Sequence, residues 1–170
     1  MAGKIWSSWV SALKPKRPGG SLPQGTPAVT LAGARDADEA AIESLLSGAR
    51  LPAVNVRGGA RGFLVARDSS RVVGCIGTER YGEWALLRSL AVLPELRRQG
   101  VGSQLLEAAL DQARELGGRF AVLLTETAQG LAAKHGFVET ARETLPPDIQ
   151  SCWEMKIDCC RKATCMTRRL

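Results

Sequence analysis

The stretch from Leu86 to Leu124 limits the folds open to this chain more than any other. It begins with an apolar run, Leu86-Leu87-Arg88-Ser89-Leu90-Ala91-Val92, which reads as a largely buried strand closed by Pro94. A helix follows. Leu105, Leu106, Ala109, Leu110, Ala113 and Leu116 recur at helical spacing, Glu107, Asp111, Arg114 and Glu115 take the other face, and Gly117-Gly118 stops it. A second apolar run, Phe120 to Leu124, comes next. Strand, helix and strand in this order predict a right-handed crossover between two parallel strands.

Between the first strand and the helix lies Arg97-Arg98-Gln99-Gly100-Val101-Gly102. Glycines at the opening of a helix let an anion reach the free N–H groups of its first turn, and Arg97 and Arg98 add positive charge there. The segment therefore reads as a pyrophosphate cradle, although a plain strand-to-helix turn uses the same short pattern. The dinucleotide fingerprint and the Walker pattern are absent, since no third Gly and no Gly-Lys-Ser/Thr follow.

At 170 residues, 45% of them apolar and 24% charged, the chain suits one globular domain. No apolar run approaches the roughly 20 residues of a membrane helix. The net charge of +6 sits at the ends: residues 1 to 35 carry five basic groups and no acid, and residues 156 to 170 carry five against Asp158, so the middle is mildly acidic. This argues against specific nucleic-acid recognition by the domain. Five cysteines, an odd number with four near the C-terminus, fit neither a disulfide framework nor a zinc site, so no metal is expected and a reducing cytoplasm is the simpler setting.

Residues 1–28 read as a basic, amphipathic and Pro/Gly-rich extension, either a loosely held helix or a targeting or membrane-surface segment. The domain is expected over 29–170. A strand at Val29 to Ala32 precedes a helix opened by Asp36-x-x-Glu39 with Ile42, Leu45 and Leu46 on its apolar face. Phe63 to Arg67 and Arg71 to Thr78 are strands joined by a hairpin turn, and Tyr81-Gly82 turns into the strand that begins near Glu83. After Thr125, Thr127 is expected to cap a helix over Ala128 to Lys134, with Gly136 as its stop. Thr140 to Asp158 is weakly patterned, and a last strand is expected near Cys165 and Met166.

The run Leu90-Ala91-Val92-Leu93-Pro94-Glu95-Leu96-Arg97-Arg98-Gln99-Gly100-Val101-Gly102, with Lys134-His135-Gly136-Phe137 later, resembles the GNAT superfamily of N-acetyltransferases over about residues 29 to 140. The resemblance implies a mixed α/β (α+β) fold: a mostly antiparallel sheet with a central parallel pair splayed to hold acetyl-CoA, and helices on both faces. It implies acetyl-CoA as co-substrate, with Leu90, Ala91 and Val92 along the pantetheine arm and Arg97, Arg98, Gln99, Gly100, Val101, Gly102 and Ser103 around the pyrophosphate. Glu79-Arg80-Tyr81-Gly82 through Val92, followed by Leu123-Leu124-Thr125-x-Thr127-Ala128, is also similar to the arsenic-resistance and amino-acid N-acetyltransferases. That narrower likeness implies acetylation of a small, amino-acid-like amine whose carboxylate Arg80 or Arg88 would hold.

Acetyl transfer to an amine needs a base, oxyanion support and a leaving thiolate. The strand position that often carries the base in the superfamily falls here on Leu86, so the nearby carboxylates Glu79 and Glu83 are the candidates, with Glu126 a third. The positions of the tyrosine that protonates the leaving thiolate fall on Leu131 and Ala132, which leaves Tyr81, the only tyrosine. Arg88 interrupts an apolar strand and must meet an acid or a substrate carboxylate. Two alternatives stay open: a protein N-terminal or lysine acetyltransferase, and a non-catalytic acyl-CoA-binding module. A homodimer is also left open.

Overall fold

The structure, a computed structural model, describes residues 28–157 and 160–170. The expected extension, save its last residue, and Cys159 lie outside the described residues. Seven strands form one sheet in the order β1-β2-β3-β4-β5-β7-β6. They are β1 (Thr30–Gly33), β2 (Phe63–Asp68), β3 (Arg71–Tyr81), β4 (Trp84–Val92), β5 (Phe120–Thr125), β6 (Val138–Glu139) and β7 (Thr164–Arg169). The helices are α1 (Glu39–Gly48), α2 (Val101–Glu115), α3 (Gln129–Lys134), α4 (Pro147–Gln150) and α5 (Trp153–Lys156). β1 with β2, β2 with β3, β5 with β7 and β6 with β7 pair antiparallel, and β4 with β5 pair parallel over Trp84–Leu86. This is the mixed sheet with one parallel pair that the crossover predicts.

The chain divides into two compact units, one of residues up to Gly77 with Ser89–Ala109, the other of Thr78–Arg88 with Leu110–Leu170. In the first, α1 places Ile42, Leu45 and Leu46 against Phe63, Val65 and Cys75. Each such aliphatic side chain contributes about 1.5 to 3 kcal/mol by leaving water. Gly74 points to the opposite face of β3, where an added Cβ would lie 3.0 Å from Leu105 of α2 and 3.1 Å from the Ala91 carbonyl. Helices therefore cover both faces of β3. The α1 start differs from expectation. Asp38, not Glu39, reaches back to a backbone N–H, that of Arg35 at 2.7 Å, and also binds Arg67 at 2.6 Å, while Glu39 takes the Gly58 N–H.

In the second unit, Leu86, Val122 and Cys165 of the sheet pack with Leu145, Ile149 and Cys152, and Tyr81, Trp84 and Met155 border them. The weakly patterned stretch thus folds into two helical turns, α4 and α5, that cover this face. Pro147 stands in the first turn of α4, where its missing N–H costs nothing. Trp84 and Phe120, paired across the parallel strands, stack at 4.8 Å. Thr127 does not cap α3, whose N-cap is Ala128 without a side-chain cap; the Thr125 hydroxyl instead accepts the N–H groups of Thr127 and Ala128 in the turn before it.

Candidate functional site

Along β4 the backbone turns left-handed at Ser89, with φ 56°. Such a residue inside a strand marks a bulge, and nothing in an apolar run announces it. Leu90, Ala91 and Val92 complete the strand, and Leu93 N–H bonds the Val73 carbonyl. A 3₁₀ turn, Pro94–Leu96, leads into the cradle. Two side chains fold back to shape it: Arg97 Nε donates to the Val92 carbonyl at 2.9 Å and Gln99 Nε2 to the Glu95 carbonyl at 2.6 Å. Arg98 and Gly100 take φ of 61° and 86°, the second a conformation natural to glycine alone. Arg97 to Gly100 are exposed, Val101 is buried as an anchor, and Gly102 and Ser103 are half-buried. Within α2 the N–H groups of Val101, Gly102 and Ser103 have no carbonyl one turn back, which is general for a helix start. Two guanidinium groups, open backbone and a glycine where a side chain would be strained fit a pyrophosphate.

The second unit holds a buried charge cluster. Glu79 and Tyr81 on β3 share one strand face by alternation, and Arg88 comes from β4. Arg88 Nε donates to Glu79 Oε1 at 2.6 Å, with side chains only 1% and 6% exposed. The Tyr81 hydroxyl donates to Glu79 Oε2 at 2.9 Å, and the Trp153 indole N–H reaches both oxygens at 3.2 Å. The Arg88 guanidinium lies over the Trp153 ring, 5.4 Å from its centroid. Next to Trp153, Glu154 is buried. Burial pushes its carboxyl up to about 7, with Glu79 adding to the rise and Arg88 and Arg142 opposing it. Burial, then the charge of Glu79, pushes the Tyr81 phenol far up, so it stays protonated at any ordinary pH.

The other candidates lie apart from this cluster's contacts. Glu83 is exposed and pairs with Arg119 at 3.2 Å. The exposed Arg80 donates to the Gly82 carbonyl at 2.7 Å and the Leu116 carbonyl at 2.8 Å. Glu126 is exposed just after β5, and His135 ends α3 with its carbonyl bound by Arg168. Sequence reasoning missed Trp153 and Glu154. A tryptophan in a stretch without periodicity, six residues after the Pro-Pro start of a helix, was the available signal.

Residues 59–139 match the family model described as an acetyltransferase (GNAT) domain. That segment is similar to GNAT domains. Over 106 residues the chain is 33% identical to an uncharacterised N-acetyltransferase of Chlorobaculum tepidum, covering 62% of this chain and 66% of that relative. An N-acetylglutamate synthase of Neisseria gonorrhoeae, solved with coenzyme A and N-acetyl-glutamate, superposes with a TM-score of 0.74 at 20% identity, over 84% of this chain and 35% of that one. A GNAT-family acetyltransferase of Staphylococcus aureus gives 0.72 at 17% identity, over 84% and 99%. The chain thus spans just under two thirds of the C. tepidum relative and about a third of the N. gonorrhoeae enzyme. The family match over residues 59–139 and the shared fold agree with the superfamily resemblance drawn from the cradle sequence.

Proposed function

We propose that this chain is an acetyl-CoA-dependent N-acetyltransferase whose acceptor is the amino group of a small, amino-acid-like molecule. The observation that carries the reading is the cradle after β4, with Gly100 left-handed and α2 opening behind it, in a segment similar to GNAT domains. When bound, acetyl-CoA supplies the acyl group as a thioester, whose thiol, with a pKa of about 8.5, leaves readily as thiolate. Backbone N–H groups at Gly100 to Ser103 hold the pyrophosphate, with charge from Arg97 and Arg98. Leu90 to Val92 offer main chain to the amide-bearing pantetheine arm in the manner of an added strand.

Arg88 is the guanidinium proposed to meet the acceptor's carboxylate. Its burial makes a charged contact stronger than one at exposed Arg80. Glu79, with both oxygens already accepting, fixes Arg88 and the Tyr81 hydroxyl in place. Glu83 is the exposed alternative among the acids. An amino-acid acceptor is what the arsenic-resistance-like motif implies, and the synthase with N-acetyl-glutamate bound shows that a protein of this fold binds such a molecule.

The test is release of free thiol from acetyl-CoA with the twenty L-amino acids, their carboxamides and a set of peptides. Turnover of amino acids with carboxamides at least tenfold poorer supports the reading. Preference for peptides favours the protein acetyltransferase, and binding of acetyl-CoA with no turnover favours the acyl-CoA-binding module.

A further inference from the structure

Glu154 is a buried acid on a helix that cannot hold itself. It is 7% exposed, and among the described residues nothing gives a hydrogen bond to its buried Oε2. The neutral acid tolerates such a place far better than the carboxylate, which gives up water there and gains no donor at that oxygen. Charges act on it from three other elements: Glu79 of β3 disfavours its anion, while Arg88 of β4 and Arg142 of the turn before α4 favour it. Cys152, at the start of α5, lies within reach of its charge, and Cys165 of β7 shares the apolar cluster with Cys152. Glu79 accepts from Arg88, Tyr81 and Trp153, contacts that need its oxygens as acceptors. Glu154 Oε2 has no such contact to lose.

The helix around it is four residues long, too short to stand without its side-chain contacts. Those contacts are few. Cys152 and Met155 pack into the cluster of Leu86, Val122 and Ile149. Trp153 gives its indole N–H to both Glu79 oxygens at 3.2 Å, and its ring lies 5.4 Å from the Arg88 guanidinium. All of these residues belong to the second unit.

We propose that α5 is a proton-operated latch: protonated Glu154 leaves it seated, and on loss of that proton to water the buried carboxylate seeks hydration and lifts α5, drawing Trp153 off Glu79 and Arg88. The latch needs neither acetyl-CoA nor an acceptor, so it stands or falls apart from the acetyl-transfer reading. The sign follows from where the proton is held. Seated, the Glu154 carboxyl is pushed by burial up to about 7, and released into water it returns toward 4.5. Between these values the seated form binds the extra proton, so the ratio of seated to released helix falls as pH rises from 5 to 7 and levels off above, by about a hundredfold or more in all.

The experiment follows the Trp153 indole N–H by NMR in the full chain, the signal being assigned by its loss from Trp153→Phe. Solvent exchange of that proton, corrected for the intrinsic pH dependence of exchange, reads the ratio of released to seated helix at pH 5, 6, 7 and 8. Wild type should show a rise of about thirtyfold or more, most of it complete by pH 7. The neutral variants Glu154→Gln and Glu154→Leu should change by less than about threefold over the same range. Backbone amides of Val122 and Leu123 in β5 report unfolding of the whole unit, and in wild type at pH 8 they should stay about a hundredfold or more better protected than the indole. A wild-type ratio constant within about threefold overturns the inference. So does a rise retained in whichever neutral variant folds, and so do β5 amides that exchange in step with the indole.

Discussion

With side chains 1% and 6% exposed, Arg88 and Glu79 have each given up water for the other and for the Tyr81 and Trp153 donors. A pair of this kind adds little net stability over an apolar replacement, but a lone survivor is a buried charge with no counter-ion. Arg88→Ala is therefore expected to cost about 3 to 5 kcal/mol in urea unfolding, and Glu79→Ala a similar amount. The double variant should lose clearly less than the two together, because each single change already forfeits the same contact. Strict additivity would mean that the two groups do not depend on one another. Counting back from the turn at Gly82 puts residues 79 and 88 near one another across a hairpin, so their meeting could be read from the sequence. Their depth could not, because an acid beside a turn ordinarily faces water.

At the scale of elements, two glycines separate packing from binding. Gly74→Ala puts a methyl 3.0 Å from Leu105 and 3.1 Å from a backbone carbonyl that has little room to yield. It should lower stability by about 1 to 3 kcal/mol and leave acetyl-CoA affinity within a few fold. Gly102→Glu should do the reverse, keeping the melt but weakening acetyl-CoA by about 3 kcal/mol or more in calorimetry, because a carboxylate faces a pyrophosphate. Unchanged affinity in that variant would remove residues 97 to 103 from the cofactor site. These elements were legible because a 15-residue helix shows its period several times over. Four-residue α4 and α5 do not complete two turns, so no period exists to be seen in them. The left-handed Ser89 was hidden for a different reason: its conformation comes from the sheet around it, and serine gives no local cue.

For the whole molecule, Glu154 should set the pH dependence of stability around neutrality. Its carboxyl titrates near 4.5 unfolded and about 7 folded, so between these the folded state binds the extra proton. Stability is then highest near pH 5 and falls by up to about 3 kcal/mol toward pH 8. Glu154→Gln should flatten that decline. Asp36 and Glu43, held below their usual values by hydrogen bonds from Arg61 and Arg57, act only in acid, where stability is lost as pH falls through their depressed values. Urea midpoints at pH 5, 6, 7 and 8 check both statements, and parallel curves for the two proteins would exclude Glu154 as the source.

At one end of the sheet, the two-residue β6 pairs with β7, Val138 and Glu139 opposite Thr167 and Met166, and the Thr140 N–H bonds the Cys165 carbonyl. An edge this short, with an anion in it, offers a second chain almost no template on which to add a strand, even though Val138 is 63% exposed. Glu139→Val should leave the fold alone while raising light scattering on storage, and it is at this margin, far in sequence from the cradle, that association of one copy with another would begin.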